Sequence, residues 1–203
     1  MPQVGIVLGS GLGGLADALT DAVAVPFAEL PGWPAASAPG HAGRMLLGRL
    51  EGVPVVCLQG RLHLYEGNSE RLVVEPVLLM HRLGAKVIVL SNAAGGVRVD
   101  WGPGTLMLIT DHLNLTGRNP LMGANDDALG PRFPDLTDAW SPRLRDLMRR
   151  VAAEEGIAIE RADRATNASI RPGSTRVLSP VDLRYANPAA DRNTAAVTRP
   201  SKT

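Results

Sequence analysis

The chain has 203 residues, enough for one domain with a real core. Hydrophobic residues make up 45% and aromatics only 3%, so the core must rest on Leu, Val, Ile, Ala and Met. A net charge of +1 argues against an overall polyanion binder, and the single cysteine, Cys57, rules out an intrachain disulfide and suits a reducing cytoplasm. The N-terminus lacks a basic signal-peptide start, and Glu75 interrupts the best candidate for a membrane span.

Val4–Leu8 is a short apolar strand. Gly9-Ser10-Gly11-Leu12-Gly13-Gly14 follows, and Leu12, Leu15, Ala16 and Leu19 then recur at helical spacing. Ala22–Phe27 reads as a second strand. Residues 31–43, rich in Pro, Gly and Ala, read as an ordered loop carrying His41. Met45–Leu50 and Val53–Leu58 form a hairpin turning at Glu51-Gly52. Ser69–Leu83 reads as a helix bent or started by Pro76 and ended by Gly84. Lys86–Leu90 is a buried strand that runs into Ser91-Asn92-Ala93-Ala94-Gly95-Gly96, a turn of small residues. Thr105–Leu115 is a further strand, 116–140 a long polar loop, and Ser141-Pro142 opens a helix with an N-cap and a first-position proline. Strands alternating with helices indicate an α/β layered fold.

The stretch Gly60–Gly67, GRLHLYEG, is the most informative. It follows the apolar run Val53–Leu58 and places Arg61, His63, Tyr65 and Glu66 within six residues. In an open α/β sheet, the C-terminal strand ends are where ligands bind. Arg suits forked contact with an oxyanion, His titrates near neutrality, and Glu can orient an imidazole. Gly9, Gly11 and Gly14 spell G-x-G-x-x-G between a strand and a helix. That pattern admits a dinucleotide site, a phosphate site helped by the Ser10 hydroxyl, or merely a tight turn. Its acidic partner in the dinucleotide reading would have to be Glu29, beyond Pro26. Asn92–Gly96 suits a flat or anionic ligand on backbone amides, or a close strand-to-helix turn. Asp111, His112 and Asn114 could suggest a metal, but only one His is present there and no second cluster has ligand spacing, so no metal is expected.

Beyond Glu160 the character changes. Residues 161–203 lack Phe and Trp, and Pro172, Pro180, Pro188 and Pro200 are scattered among Arg, Asn, Ser and Thr. Seven Arg and one Lys against three Asp give this segment a charge of 8 − 3 = +5, leaving −4 for residues 1–160. Such a composition buries too little apolar surface to offset its ordering entropy. The expectation is a domain over 1–160 and a mostly disordered tail over 161–203. The tail's charge lacks the interleaved aromatics of a nucleic-acid surface.

The ordered set VGIVLGSGLGGL, PGHAG, GRLHLYEG, SNAAGG, ITDHLNLTGRNPL and GPRFPDLTDAW, over about residues 4–156, resembles the trimeric purine nucleoside phosphorylases of the inosine–guanosine family. The resemblance implies a three-layer phosphorylase-type fold, a mixed central β-sheet flanked by helices. It implies phosphate-dependent cleavage of purine nucleosides to free base and ribose 1-phosphate in the cytoplasm. Inorganic phosphate is the co-substrate, without metal or organic cofactor, and the assembly is a homotrimer that needs neither nucleic acid nor membrane. By resemblance, Ser10, His41, Arg61, His63 and the Ala93 backbone hold phosphate, with His63 and Glu66 the catalytic pair. Glu66 orients His63, Tyr65 meets the ribose, and Asn92, Ala94, Gly95 and Gly96 border sugar and base. The family continues with a segment of the type GPxYETPAE, a Met-Ser strand end, an Asn-bearing strand end and a late His. These hold the purine, add a second phosphate serine and contact the 5′-hydroxyl. Residues 161–203 do not match them, so the resemblance implies an incomplete C-terminal part of the fold, as from a frameshifted or truncated product. Leu129 stands where some members place an aromatic that reaches a neighbouring subunit. The expected outcome is a phosphate half-site without its base half-site and weak turnover. The alternatives are a remnant that binds phosphate only and a dinucleotide-binding protein.

Overall fold

The computed structural model describes residues 1–35, 42–96, 98, 100–162, 165–166 and 175–182, those beyond 160 by their backbone alone. The strands are β1 (Val4–Leu8), β2 (Thr20–Pro26), β3 (Arg44–Leu50), β4 (Val53–Gln59) and β5 (Val87–Ala94). They continue as β6 (Leu106–Ile109), β7 (His112–Leu113), β8 (Glu160–Ala162), β9 (Ala165–Thr166) and β10 (Thr175–Asp182). Two α-helices accompany them, α1 (Glu70–Arg82) and α2 (Pro142–Glu154). Eight strands form one sheet in the order β2-β3-β4-β1-β5-β10-β6-β8, while β7 and β9 pair apart from it. The sheet is mixed, as expected. β1 runs parallel to both β4 and β5, whereas β2, β3 and β4 pair antiparallel.

Alternation along the strands sorts the core onto two faces. On one face Val7, Val56, Leu58 and Ile88 pack with Met80 of α1 and with Phe27. On the other, Ile6, Leu8, Leu46, Val55 and Cys57 pack with Ala16. Gly5 sits where α1 presses closest. A Cβ there would stand 2.4 Å from Ile88 Cδ1 and 2.7 Å from Met80 Sδ. The β3–β4 hairpin turns through Glu51 (φ 46°) and Gly52 (φ 75°), the left-handed pair that matches strand twist. Both helices start as the sequence predicts: Ser69 and Ser141 side chains accept from Leu72 and Leu144 amides. Pro76 is buried in the interior of α1, not in its first turn.

Three expectations need correction. The helix after the glycine loop is a 3-10 segment, Gly13–Ala18, without a side-chain cap. It opens on two glycines and is too short to sustain α-helical cooperativity. β5 does not stop at Leu90 but carries Ser91–Ala94 in the strand, because these residues pair with β10. The strand expected over Thr105–Leu115 breaks after Ile109. The Asp111 carboxylate accepts from the His112 amide and competes with the ladder.

Beyond Glu160 sequence composition predicts a mostly unstructured tail, of which residues 161–162, 165–166 and 175–182 are described. β10 lies inside the sheet, antiparallel to β5 and parallel to β6, and β8 extends the edge beyond β6. The remainder of the expected tail, 163–164, 167–174 and 183–203, lies outside the described residues. Residues 116–140 form a loop without helix or strand, as predicted. Among the described residues, no helix is long and apolar enough to cross a membrane.

Candidate active site at the ends of three central strands

β4, β1 and β5 are neighbours at the middle of the sheet and parallel, so their C-terminal ends open on the same edge. Gly9-Ser10 follows β1, Arg61–Glu66 follows β4, and Asn92–Ala93 close β5. Three segments far apart in sequence therefore meet where ligands bind in open α/β sheets.

The segment after β4 is bounded by two left-handed glycines, Gly60 (φ 108°) and Gly67 (φ 85°). Between them Leu64–Glu66 form a single 3-10 turn capped at His63. One carboxylate oxygen of Glu66 accepts from the His63 amide and meets His63 Nδ1, each at 2.8 Å. Asn68 Nδ2 donates to the His63 carbonyl at 3.0 Å. Arg61 Nε donates to His63 Nε2 at 3.1 Å, and Arg61 Nη1 donates to the Ser91 carbonyl at 3.1 Å. This network assigns the His63 tautomer: the proton sits on Nδ1, facing Glu66, and Nε2 presents its lone pair to Arg61. Burial lowers the Arg61 pKa, with the nearby Tyr65 acting in the opposite direction. A desolvated guanidinium gains more than an exposed one from an anionic partner. Tyr65 stacks on His63 with ring centroids 4.6 Å apart, and its own side is 74% exposed, open to a ligand.

The glycine loop packs tightly on β5. A Cβ on Gly9 would stand 2.6 Å from both Asn92 Cα and the Ser91 carbonyl oxygen. Gly11 has φ 78°, whereas Gly14 faces open space with no atom within 4 Å of a Cβ. Ser10 is exposed at the loop's tip. With only a 3-10 turn following, the anion-binding contribution of an α-helix N-terminus is missing, as is the helix the dinucleotide pattern requires. The Asn92 amide donates to the Ala93 carbonyl at 3.1 Å, and Ala94, Gly95 and Gly96 follow it along the edge. His41 lies outside the described residues.

Two residues are not legible as site residues in the sequence. Ser91 is buried, accepts from the Gly9 amide at 3.0 Å and donates to the Val7 carbonyl at 2.9 Å. Gln59 donates to the Gly13 carbonyl at 3.0 Å while accepting from Arg44 Nε at 2.7 Å. Ser91 stood in a motif noted only for small size, and Gln59 ends an apolar run; a polar residue inside a buried strand was the available signal.

The Asp111–His112–Asn114 group is committed to local structure. Trp140 Nε1 donates to His112 Nδ1 at 2.9 Å, and Asn114 bonds Thr116 and the Arg118 carbonyl. Among the described residues no three His, Cys, Asp or Glu side chains gather as metal ligands. Leu129 is half-buried in a turn where its amide bonds the Asp126 carbonyl.

A family model described as the phosphorylase superfamily matches residues 3–174. The chain belongs to the phosphorylase superfamily. The chain is 49% identical over 158 residues to purine nucleoside phosphorylase 1 of Geobacillus stearothermophilus, covering 78% of the chain and 58% of that relative. It is 44% identical over 160 residues to purine nucleoside phosphorylase 1 of Bacillus subtilis, covering 79% of the chain and 59% of that relative. It therefore spans less than two thirds of either relative's length. Isoform 2 of purine nucleoside phosphorylase from Schistosoma mansoni, solved with cytosine and ribose-1-phosphate, superposes with a TM-score of 0.74 at 35% identity. That match covers 81% of this chain and 59% of the other.

Proposed function

We propose that this chain binds inorganic phosphate and carries the phosphate and ribose side of purine nucleoside phosphorolysis. The observation that supports it is the meeting of Gly9-Ser10, Arg61–His63–Glu66 and Asn92–Ala93 at one sheet edge. Arg61 brings fixed positive charge, Ser10 a hydroxyl and the strand ends backbone amides, a donor set for an oxyanion. In the reaction a phosphate oxygen forms the new bond to ribose C1′ as the bond from C1′ to the base nitrogen breaks. The base leaves with the electron pair and must be protonated or hydrogen-bonded. Phosphate held beneath C1′ stabilises the cationic character that develops there, and Tyr65, exposed and stacked on His63, is the proposed sugar contact. Glu66 acts through His63, whose ring it fixes.

The groups the family uses on the purine are not identifiable in this sequence. Loss of one well-placed donor lowers kcat by roughly 10²–10³, so turnover by the 203-residue chain is proposed to be slow. No organic cofactor is required. A homotrimer in the cytoplasm is proposed from the family resemblance, and the exposed Leu115 (74%), Met122 (77%) and Phe133 (88%) are apolar groups that an interface could cover.

Calorimetric titration with phosphate, with and without inosine, tests the binding, and a coupled assay for hypoxanthine tests the turnover. The expected result is saturable phosphate binding with slow hypoxanthine release. Absence of phosphate binding would overturn the proposal. Fast release would overturn the slow-turnover part, and nucleoside-independent binding without release would favour a remnant that holds phosphate only.

A further inference from the structure

We infer that Ser91 is the positioning residue of the phosphate site, setting the Gly9–Ser10 loop through its hydroxyl while its own carbonyl anchors Arg61. The inference rests on the phosphate reading above. Ser91 lies on β5, only 3% exposed, with Gly9-Ser10 on one side and Arg61 on another. Its Oγ accepts from the Gly9 amide at 3.0 Å and donates to the Val7 carbonyl at 2.9 Å. The hydroxyl thus has both its donor and an acceptor position used, and its rotor is fixed. Its carbonyl oxygen accepts from Arg61 Nη1 at 3.1 Å. One residue therefore bonds both cationic and hydroxyl-bearing arms of the site, which arise 51 positions apart (61 − 10) in the sequence.

The bonds at Gly9 and Val7 are otherwise out of place in the sheet. β1 pairs with β5 only as far as Val7↔Leu90, so beyond that register the Ser91 hydroxyl takes over from the ladder. It closes the gap between the strands where the backbone turns away to present Ser10. Ser91 is buried, so bulk water does not compete for these bonds. A buried amide and carbonyl left without that partner would re-orient the loop to reach solvent. Arg61 would keep its bond, because it uses the carbonyl of Ser91 and not the side chain. The side chain therefore acts on one arm only, a separation that a general packing role would not produce.

The test is a double-mutant cycle on inorganic phosphate affinity, measured by calorimetry well below the melting temperature of every variant. Ser91→Ala is expected to weaken phosphate binding about tenfold, the scale of one buried hydrogen bond. Ser91→Thr, which keeps the hydroxyl, is expected to stay within about threefold of the parent on the same scale. In a Ser10→Ala background, Ser91→Ala is expected to cost less than about threefold further, since the group it positions is gone. Equal fold losses in both backgrounds, or a lowered melting temperature with unchanged phosphate affinity, would overturn the inference. If Ser91→Ala does not fold, Ser91→Cys replaces it. Its thiol is a weak hydrogen-bonding group of similar shape, and it is expected to lie between the Ala and Thr variants; parent-like affinity would overturn the inference. An unmutated chain that binds no phosphate would sink the phosphate reading and this inference together. Phosphate binding that Ser91→Ala leaves intact would sink this inference alone.

Discussion

Gly9 and Gly14 belong to the same sequence pattern, yet their surroundings give them different work. At Gly9 a Cβ would strike the backbone of Asn92 and Ser91, neither of which can swing aside. At Gly14 nothing stands within 4 Å and the backbone is not left-handed. Gly9→Ala is therefore expected to lose about 1–3 kcal/mol in urea unfolding, the cost of overpacking. Gly14→Ala is expected to be neutral or to gain about 0.4–1 kcal/mol, by restricting the unfolded chain. A dinucleotide loop would be damaged at both positions, so comparable losses would contradict the packing explanation. Cys57 offers a second test at this scale. It is fully buried, and burial pushes its thiol from 9.0 up to about 11. The unfolded thiol ionises first, so its contribution is intact below pH 9 and is lost as pH rises toward 11. Unfolding stability should fall more steeply across that window in the parent than in Cys57→Val. Parallel pH profiles would show that the thiol does not couple to folding.

At the scale of elements, the sequence exposes whatever has a local cause. The hairpin shows because Glu51-Gly52 is a turn pair, and α2 because Ser141-Pro142 is a cap followed by a first-position proline. The 60–67 segment shows because four polar residues crowd the end of an apolar strand, and they do meet: Glu66, His63 and Arg61 form one chain of hydrogen bonds. Long-range pairing was hidden. Nothing near Ser91 reveals that β10 will hold residues 91–94 in strand form, 84 positions (175 − 91) away at its nearest end. The 3-10 form of Gly13–Ala18 is not legible in the sequence because aliphatic spacing suits a 3-10 segment over six residues as well as an α-helix. The same limit applies to Ser91 and Gln59, whose roles exist only once β1, β4 and β5 lie side by side.

For the whole molecule, β10 is the joint. Strands β2, β3, β4, β1 and β5 form one continuous run, β6 and β8 another, and β10 is the strand between them. It pairs over eight positions with β5, from Thr175↔Ala94 to Asp182↔Val87, and over three with β6. Pro180, opposite Val89, brings no amide proton to this central strand. Part of the segment beyond Glu160 thus bears on the sheet that carries the candidate site. A version cut after Ala162 would leave β5 with an open edge beside Asn92 and Ala93, and β6 with no pairing route to the main sheet. Open edges of this kind recruit other chains. The cut version should show faster amide exchange across Val87–Ala94, a lower melting temperature and concentration-dependent aggregation relative to the 203-residue chain. Weakened phosphate binding should accompany these changes, because Ser91 and Ala93 lie on the strand that loses its neighbour. Equal exchange protection and equal melting in the two versions would mean that β10 contributes nothing to the sheet. The site would then be supported by the first five strands alone. The opposite outcome would give the basic, proline-bearing segment a structural role that its composition conceals, with eight ordered residues carrying what the surrounding sequence does not advertise.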